Sequence, residues 1–100
     1  MRHENRKRPR GLEELRRTAK EGSIVHTLHF RKELRDAGAD SEDVNSVLHD
    51  PDTVLESMQF DQSFSNWKCR IRGPDSRGEP LTIIAALDEE NATIVLITAF

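Results

Sequence analysis

The chain has 100 residues, of which 35% are hydrophobic, and its 15 Lys and Arg against 18 Asp and Glu give a net charge of −3. This length predicts a single domain, and the one cysteine, Cys69, excludes an intrachain disulfide and a thiolate zinc site. No apolar run approaches the roughly 18 residues of a membrane span. We therefore expect a cytoplasmic protein without membrane contact.

Charge is distributed unevenly along the chain. Residues 1–20 hold eight Lys and Arg against three Glu, whereas residues 36–67 hold eight Asp and Glu and no Lys or Arg. Residues 1–10 offer almost nothing apolar to anchor them, which predicts a flexible basic arm. That arm would either touch nucleic acid or remain a solvated tail. The folded domain is expected over residues 11–100.

Helices are predicted in the first half of the chain. Apolar residues spaced by three or four positions predict them over 11–21, over about 28–37, and from Asp40 or Ser41 onward. Gly22 and Gly38 are typical stops for the first two. The segment 23–27 is ambiguous between a short strand and a link.

Strands are predicted in the second half, over about 53–60, 67–72, 81–87 and 92–99. The last two are apolar on both faces, which is typical of central strands covered on one side by helices. The predicted fold is therefore α+β, with N-terminal helices packed on an antiparallel β-sheet.

The strand predicted over 67–72 alternates strictly between apolar and basic residues. Trp67, Cys69 and Ile71 would share one face, and the candidate site residues Lys68, Arg70 and Arg72 would share the other, because successive side chains of a strand point to opposite faces. Three cations in one row have three alternatives: they are solvated by water, they pair with the acidic segment over residues 36–67, or they bind an anion.

Other basic residues could extend this row. Arg31 and Arg35 lie one turn apart on the second predicted helix, and Arg77 lies in the turn that follows the basic strand. If the helix packs beside that strand, these residues would form a basic cleft. Arginine suits phosphate because its planar fork binds two oxygens at once.

Two histidines are candidates for acid–base chemistry. His26 and His29 are three positions apart, and a histidine pKa lies near neutrality, which suits proton transfer during RNA cleavage. A capping or solvent-facing role for each is the alternative. No third ligand is spaced with them, so we expect no metal site and no cofactor.

Short motifs resemble the MqsR family of toxin ribonucleases. They are Glu21-Gly22-Ser23-Ile24-Val25-His26-Thr27, then Gly38-Ala39-Asp40, then Glu56-Ser57-Met58, then Trp67-Lys68. The segment His29 to Val44 and the closing Ile97-Thr98-Ala99-Phe100 also resemble a sister group of uncharacterised RelE-superfamily domains. Both resemblances imply a RelE-like α+β fold over nearly the whole folded chain.

The chain departs from the MqsR pattern at several positions. The family Lys before Ser-Met is Glu56, the Gln after Trp is Lys68, and the chain has no Tyr. The resemblance implies a metal-independent endoribonuclease that acts on RNA and is neutralised by a cognate antitoxin protein. His29, His26, Lys68 and Arg70 would be catalytic, with Arg72, Arg77, Arg31 and Arg35 binding substrate. The alternative is a catalytically inactive RelE-like binding module.

Overall fold

The computed structural model describes residues 10–100, so the predicted arm over residues 1–10 lies, apart from Arg10, outside the described residues. The elements are α1 (Leu12–Glu21), β1 (Ser23–His26), α2 (Leu28–Asp36), α3 (Ser41–His49), β2 (Val54–Asp61), β3 (Asn66–Pro74), β4 (Pro80–Asp88) and β5 (Thr93–Ala99). The predicted α+β fold is confirmed. Within residues 10–100, no helix has the length and apolar content to cross a membrane.

The five strands form one mixed sheet in the order β1-β5-β4-β3-β2. Strands β2 to β5 form the predicted antiparallel meander. The expectation of a wholly antiparallel sheet is wrong at β1, which pairs in parallel with β5. The Ser23 N–H donates to the Ala92 carbonyl at 2.9 Å, so the ambiguous segment after α1 becomes an edge strand.

One face of the sheet, which we call the core face, packs against all three described helices. Its buried side chains include Ile71, Ile83, Leu87 and Leu96. They form one cluster with buried helix residues, namely Leu15, Phe30, Leu34, Val44, Val47 and Leu48. Trp67 packs against this cluster, which confirms that the apolar side of β3 faces the core.

Two helix starts are fixed by side-chain caps. The Thr27 hydroxyl accepts the Phe30 N–H at 3.1 Å and donates to the Leu96 carbonyl at 2.9 Å, which ties the start of α2 to β5. Helix α3 begins with a reciprocal capping box, in which Asp40 and Asp43 each accept the other's backbone N–H. The first cap ties α2 to the sheet, and the second fixes the residue at which α3 begins.

The opposite face, which we call the open face, carries Lys68, Arg70 and Arg72 from β3. Small or half-buried side chains, including Ile84 and Ala86, accompany them on β4. Because every described helix contributes its buried residues to the core cluster, no helix within residues 10–100 covers the open face. The fold therefore presents the basic side of β3 outward.

Candidate functional site

The three cations of β3 form a stripe along the open face, one strand in from the β2 edge of the sheet, as the alternating sequence predicts. Lys68 lies opposite Ala86 of β4, Arg70 opposite Ile84 and Arg72 opposite Thr82. Neighbours two residues apart on a strand are separated by roughly 6.6 Å. The stripe is flanked on β2 by Gln59, Ser57 and Val54, which lie opposite the same three cations.

Lys68 is held at the hairpin end of the stripe. Its Nζ donates to Asp61 Oδ2 at 2.9 Å and to Asn66 Oδ1 at 3.1 Å, and it lies 4.9 Å from the centre of the Phe64 ring. The hydrogen bond from Lys68 lowers the pKa of Asp61 below its ordinary value, so that carboxylate remains charged. An incoming anion would have to share Lys68 with Asp61.

Arg70 in the centre of the stripe is paired on one side and stacked on another. Its Nε donates to Glu56 Oε1 at 2.9 Å, and its Cζ lies 5.2 Å from the centre of the Phe100 ring. The ladder between β2 and β3 is irregular between Leu55 and Ser57, so Glu56 occupies a bulge there. Such bulges re-aim side chains, and this one places Glu56 beside Arg70.

Arg72 differs from its two neighbours because no carboxylate pairs with it among the described residues. It lines a shallow depression of about 410 Å³ together with Asp52, Val54 and Pro80. Its exposed guanidinium has no hydrogen-bond or ion-pair partner within residues 10–100, so among the three cations it could take a phosphate without first giving up a carboxylate from that part of the chain.

The two candidate histidines do not join the stripe. His26 lies in register with buried Leu96, which places it on the core-face side of β1. Its ring packs edge-on against the Phe30 ring, with 5.6 Å between the two ring centres. Strands β5 and β4 separate β1 from β3, so His26 lies roughly 14 Å from β3 at about 4.8 Å per strand. Burial and then the charge of Arg31 lower the pKa of His26.

His29 lies on α2, behind the sheet as seen from the open face. Its ring is 63% exposed, and its Nε2 lies 3.5 Å from Glu33 Oε1. That position fits the alternative interpretation, a solvent-facing histidine near the start of a helix. Neither histidine can reach a phosphate that is held by Arg70 or Arg72 on the other side of the sheet.

The predicted single basic cleft is not formed. Helix α2 packs on β5 rather than beside β3, so Arg31 and Arg35 are exposed on the helical layer. Arg77 donates to the Gly38 carbonyl at 3.1 Å and lies 3.6 Å from Asp75. It therefore braces the turn between α2 and α3. Of the predicted substrate-binding residues, only Arg72 lies on the open face.

Three residues of the open face were missed as site candidates. Glu56 was recognised as a departure from the family pattern, but its contact with Arg70 depends on the bulge, which the sequence does not reveal. Phe64 and Phe100 are 71% and 55% exposed and touch Lys68 and Arg70. Their position in a turn and after the last strand was an available signal that they are not core residues.

The comparisons with known proteins assign a family without a known activity. Residues 26–100 match the family described as Domain of unknown function (DUF4258), and because this match covers three quarters of the chain, the protein belongs to that family. No curated protein and no solved structure matches the chain. The matched region contains α2, α3 and β2 to β5, and therefore the complete stripe.

The arrangement can bind and neutralise anionic groups. It offers two arginines and one lysine on an accessible sheet face, with Glu56 and Asp61 as the nearest carboxylates. Within residues 10–100, no three His, Cys, Asp or Glu side chains group closely enough to hold a metal ion.

Proposed function

We propose that the protein is a toxin-type, metal-independent endoribonuclease of the cytoplasm, that RNA lies across its open face, and that a cognate antitoxin protein neutralises it by covering that face. The observation that carries this proposal is the stripe of Lys68, Arg70 and Arg72 on the side of the sheet that no described helix covers. Phosphate is the common anion for which arginine pairs are best suited.

The open face suggests a division of roles among its charged groups. Arg72, which has no carboxylate partner among the described residues, would make the first phosphate contact. Arg70 and Lys68 would stabilise the charge that develops on the phosphate oxygens as it is attacked. Each would exchange a carboxylate partner for the phosphate, so binding must offset two existing ion pairs.

Cleavage without a metal ion also needs a group that accepts a proton from the attacking ribose 2′-hydroxyl. The histidines are on the wrong side of the sheet for this task. Glu56 lies 2.9 Å from Arg70 and is a carboxylate on the open face. We assign it the base role in this proposal: the 2′-oxygen forms a bond to the adjacent phosphorus and gives its proton to Glu56, while the bond from phosphorus to the 5′-oxygen breaks and that oxygen takes a proton from water.

The test is cleavage of a mixed-sequence single-stranded RNA by the purified protein in EDTA. The double variant Arg70→Ala, Arg72→Ala should lose cleavage, because two of the three cations that contact the phosphate are removed. The matched control Arg31→Ala, Arg35→Ala removes the same charge from the helical layer and should cut normally. Equal loss in both variants, or no cutting by the wild type with or without ribosomes, would contradict the proposed activity.

A second candidate function is a catalytically inactive module of the same fold, which holds a phosphate-bearing or acidic partner. The observation that favours it is the separation of the histidines from the stripe, together with the carboxylates that already hold Lys68 and Arg70. This function predicts binding without cleavage, and an affinity that falls steeply as salt rises. An affinity that is independent of salt would argue against it.

A further inference from the structure

Two exposed phenylalanines stand beside the cations of the open face. Phe64 lies in the turn between β2 and β3 and is 71% exposed, and Phe100 follows β5 and is 55% exposed. Large apolar side chains in water cost free energy that burial would recover. Neither ring is explained by the core, since neither belongs to the buried cluster.

The rings approach the stripe from different directions. Phe64 lies in the turn at the hairpin end of β3, where its ring centre is 4.9 Å from Lys68 Nζ. Phe100 approaches from the β4 side, because its backbone N–H and carbonyl bond to Thr82 at 2.9 Å and 2.7 Å. Its ring centre is 5.2 Å from Arg70 Cζ. An oblique path across the face therefore meets Phe64, Lys68, Arg70 and Phe100 in turn.

This alternation of rings and cations matches the bases and phosphates that an unpaired polynucleotide exposes. Its phosphates need cations and its bases need flat apolar surfaces, and an aromatic ring beside each cation supplies both. We propose that Phe64 and Phe100 are base-stacking residues, and that they make the open face select single-stranded over double-stranded RNA. This inference rests on the proposed binding of RNA at the same face.

Selection follows from the accessibility of the bases. In a duplex the faces of the bases are already stacked on one another, so the two rings have no partner and only the cations contribute. In a single strand the bases can turn toward the rings. The stripe alone would bind both forms through their phosphates, and the rings supply the difference between them.

The test measures the affinity of fluorescently labelled RNA, as a 12-nucleotide single strand and as a duplex of the same length. Phe64→Leu and Phe100→Leu should each weaken single-strand binding at least about fivefold and leave duplex binding within twofold, because leucine keeps apolar volume but has no ring to stack. Leu28→Ala, which removes an apolar side chain that is 83% exposed on α2 in the helical layer, is the matched control and should change neither affinity.

The experiment distinguishes failure of the base-stacking inference from failure of the proposed RNA surface. If the wild type binds both RNA forms equally and the phenylalanine variants leave this unchanged, base stacking is wrong while the proposed RNA surface stands. If the wild type binds neither form, both fail, and the rings are better explained as contacts for an apolar segment of a protein partner. Circular dichroism melting of each variant shows whether a loss of affinity reflects unfolding.

Discussion

Asp43 in the first turn of α3 accepts two hydrogen bonds from Ser76, which lies 33 residues later in the turn between β3 and β4. The Ser76 N–H donates at 2.9 Å and the Ser76 hydroxyl at 2.5 Å. The Ser46 hydroxyl adds a bond of 3.0 Å to the Pro74 carbonyl. These bonds fix the start of α3 against the end of β3, and so hold the strand that carries the stripe.

Removing the Asp43 carboxylate should destabilise the fold. Asp43 is only 3% exposed, and Asp43→Ala removes the acceptor of the Ser76 and Asp40 donors. Hydrogen bonds to charged groups are worth about 1.5–3 kcal/mol. We expect the free energy of unfolding in urea to fall by that order. The control is Glu42→Ala, which removes an exposed acid from the same helical turn, and it should cost much less.

The same bond predicts a pH dependence. Hydrogen bonds from Ser76 lower the pKa of Asp43 from 3.8 to about 2. Because the folded-state pKa is the lower one, the stabilisation is present above the unfolded value and is lost as the pH falls from about 4 through 2. The stability difference between wild type and Asp43→Asn should shrink over that window, and a constant difference would contradict this role.

His26 should also make the stability of the fold depend on pH, in a higher pH range than Asp43 does. Burial lowers its pKa from 6.5, so the folded state favours the neutral ring. Its contribution to stability is complete above pH 6.5 and declines as the pH falls below that value, since the unfolded chain then binds a proton more readily. An NMR titration of the His26 ring checks this, and a pKa at or above 6.5 would be inconsistent with it.

Glu56, the base in our proposal, should also restrain RNA binding. Glu56→Gln removes one negative charge from the open face and frees Arg70, so affinity for RNA should rise by a few-fold. The ion pair is partly exposed, so its loss should cost less than about 1 kcal/mol of stability. Fluorescence anisotropy in EDTA measures the affinity, and cleavage by this variant should fall. A weaker affinity would refute the assigned position of RNA.

Gly22 is required where α1 passes into β1. A Cβ at this position would lie 2.0 Å from the carbonyl oxygen of Ala92, the acceptor for the Ser23 N–H. Gly22→Ala should therefore open the β1–β5 pairing and lower stability by about 2 kcal/mol or more. Gly38→Ala provides the comparison, because nothing lies within 4 Å of its Cβ position, and its positive φ should cost roughly 1 kcal/mol. Equal losses would be unexpected.

The sequence predicts the stripe but not its surroundings. Alternation over residues 67–72 is a local property, and it places Lys68, Arg70 and Arg72 on one face whatever the strand pairs with. The position of α2 depends instead on the parallel pairing of β1 with β5, which joins residues about 70 positions apart. The predicted cleft needed that long-range contact, which no local pattern reports.

The same limit explains the missed partners of the stripe. Glu56 meets Arg70 because of a bulge in β2, and Phe100 meets Arg70 through the Thr82 pairing. Both contacts depend on strand register. The boundaries of α1 and α2 were easier to predict, because they follow from local signals. Apolar spacing and glycine stops placed both helices to within one residue at each end.

The most direct measurement is the affinity of the protein for single-stranded RNA across a range of salt concentrations, with Arg72→Ala and Arg35→Ala beside the wild type. RNA on the open face predicts that Arg72→Ala weakens binding and makes its salt dependence shallower by about one phosphate contact, while Arg35→Ala behaves as the wild type. RNA binding at the stripe would be contradicted if Arg35→Ala lost as much affinity as Arg72→Ala. It would also be contradicted if the affinity of the wild type did not change with salt concentration.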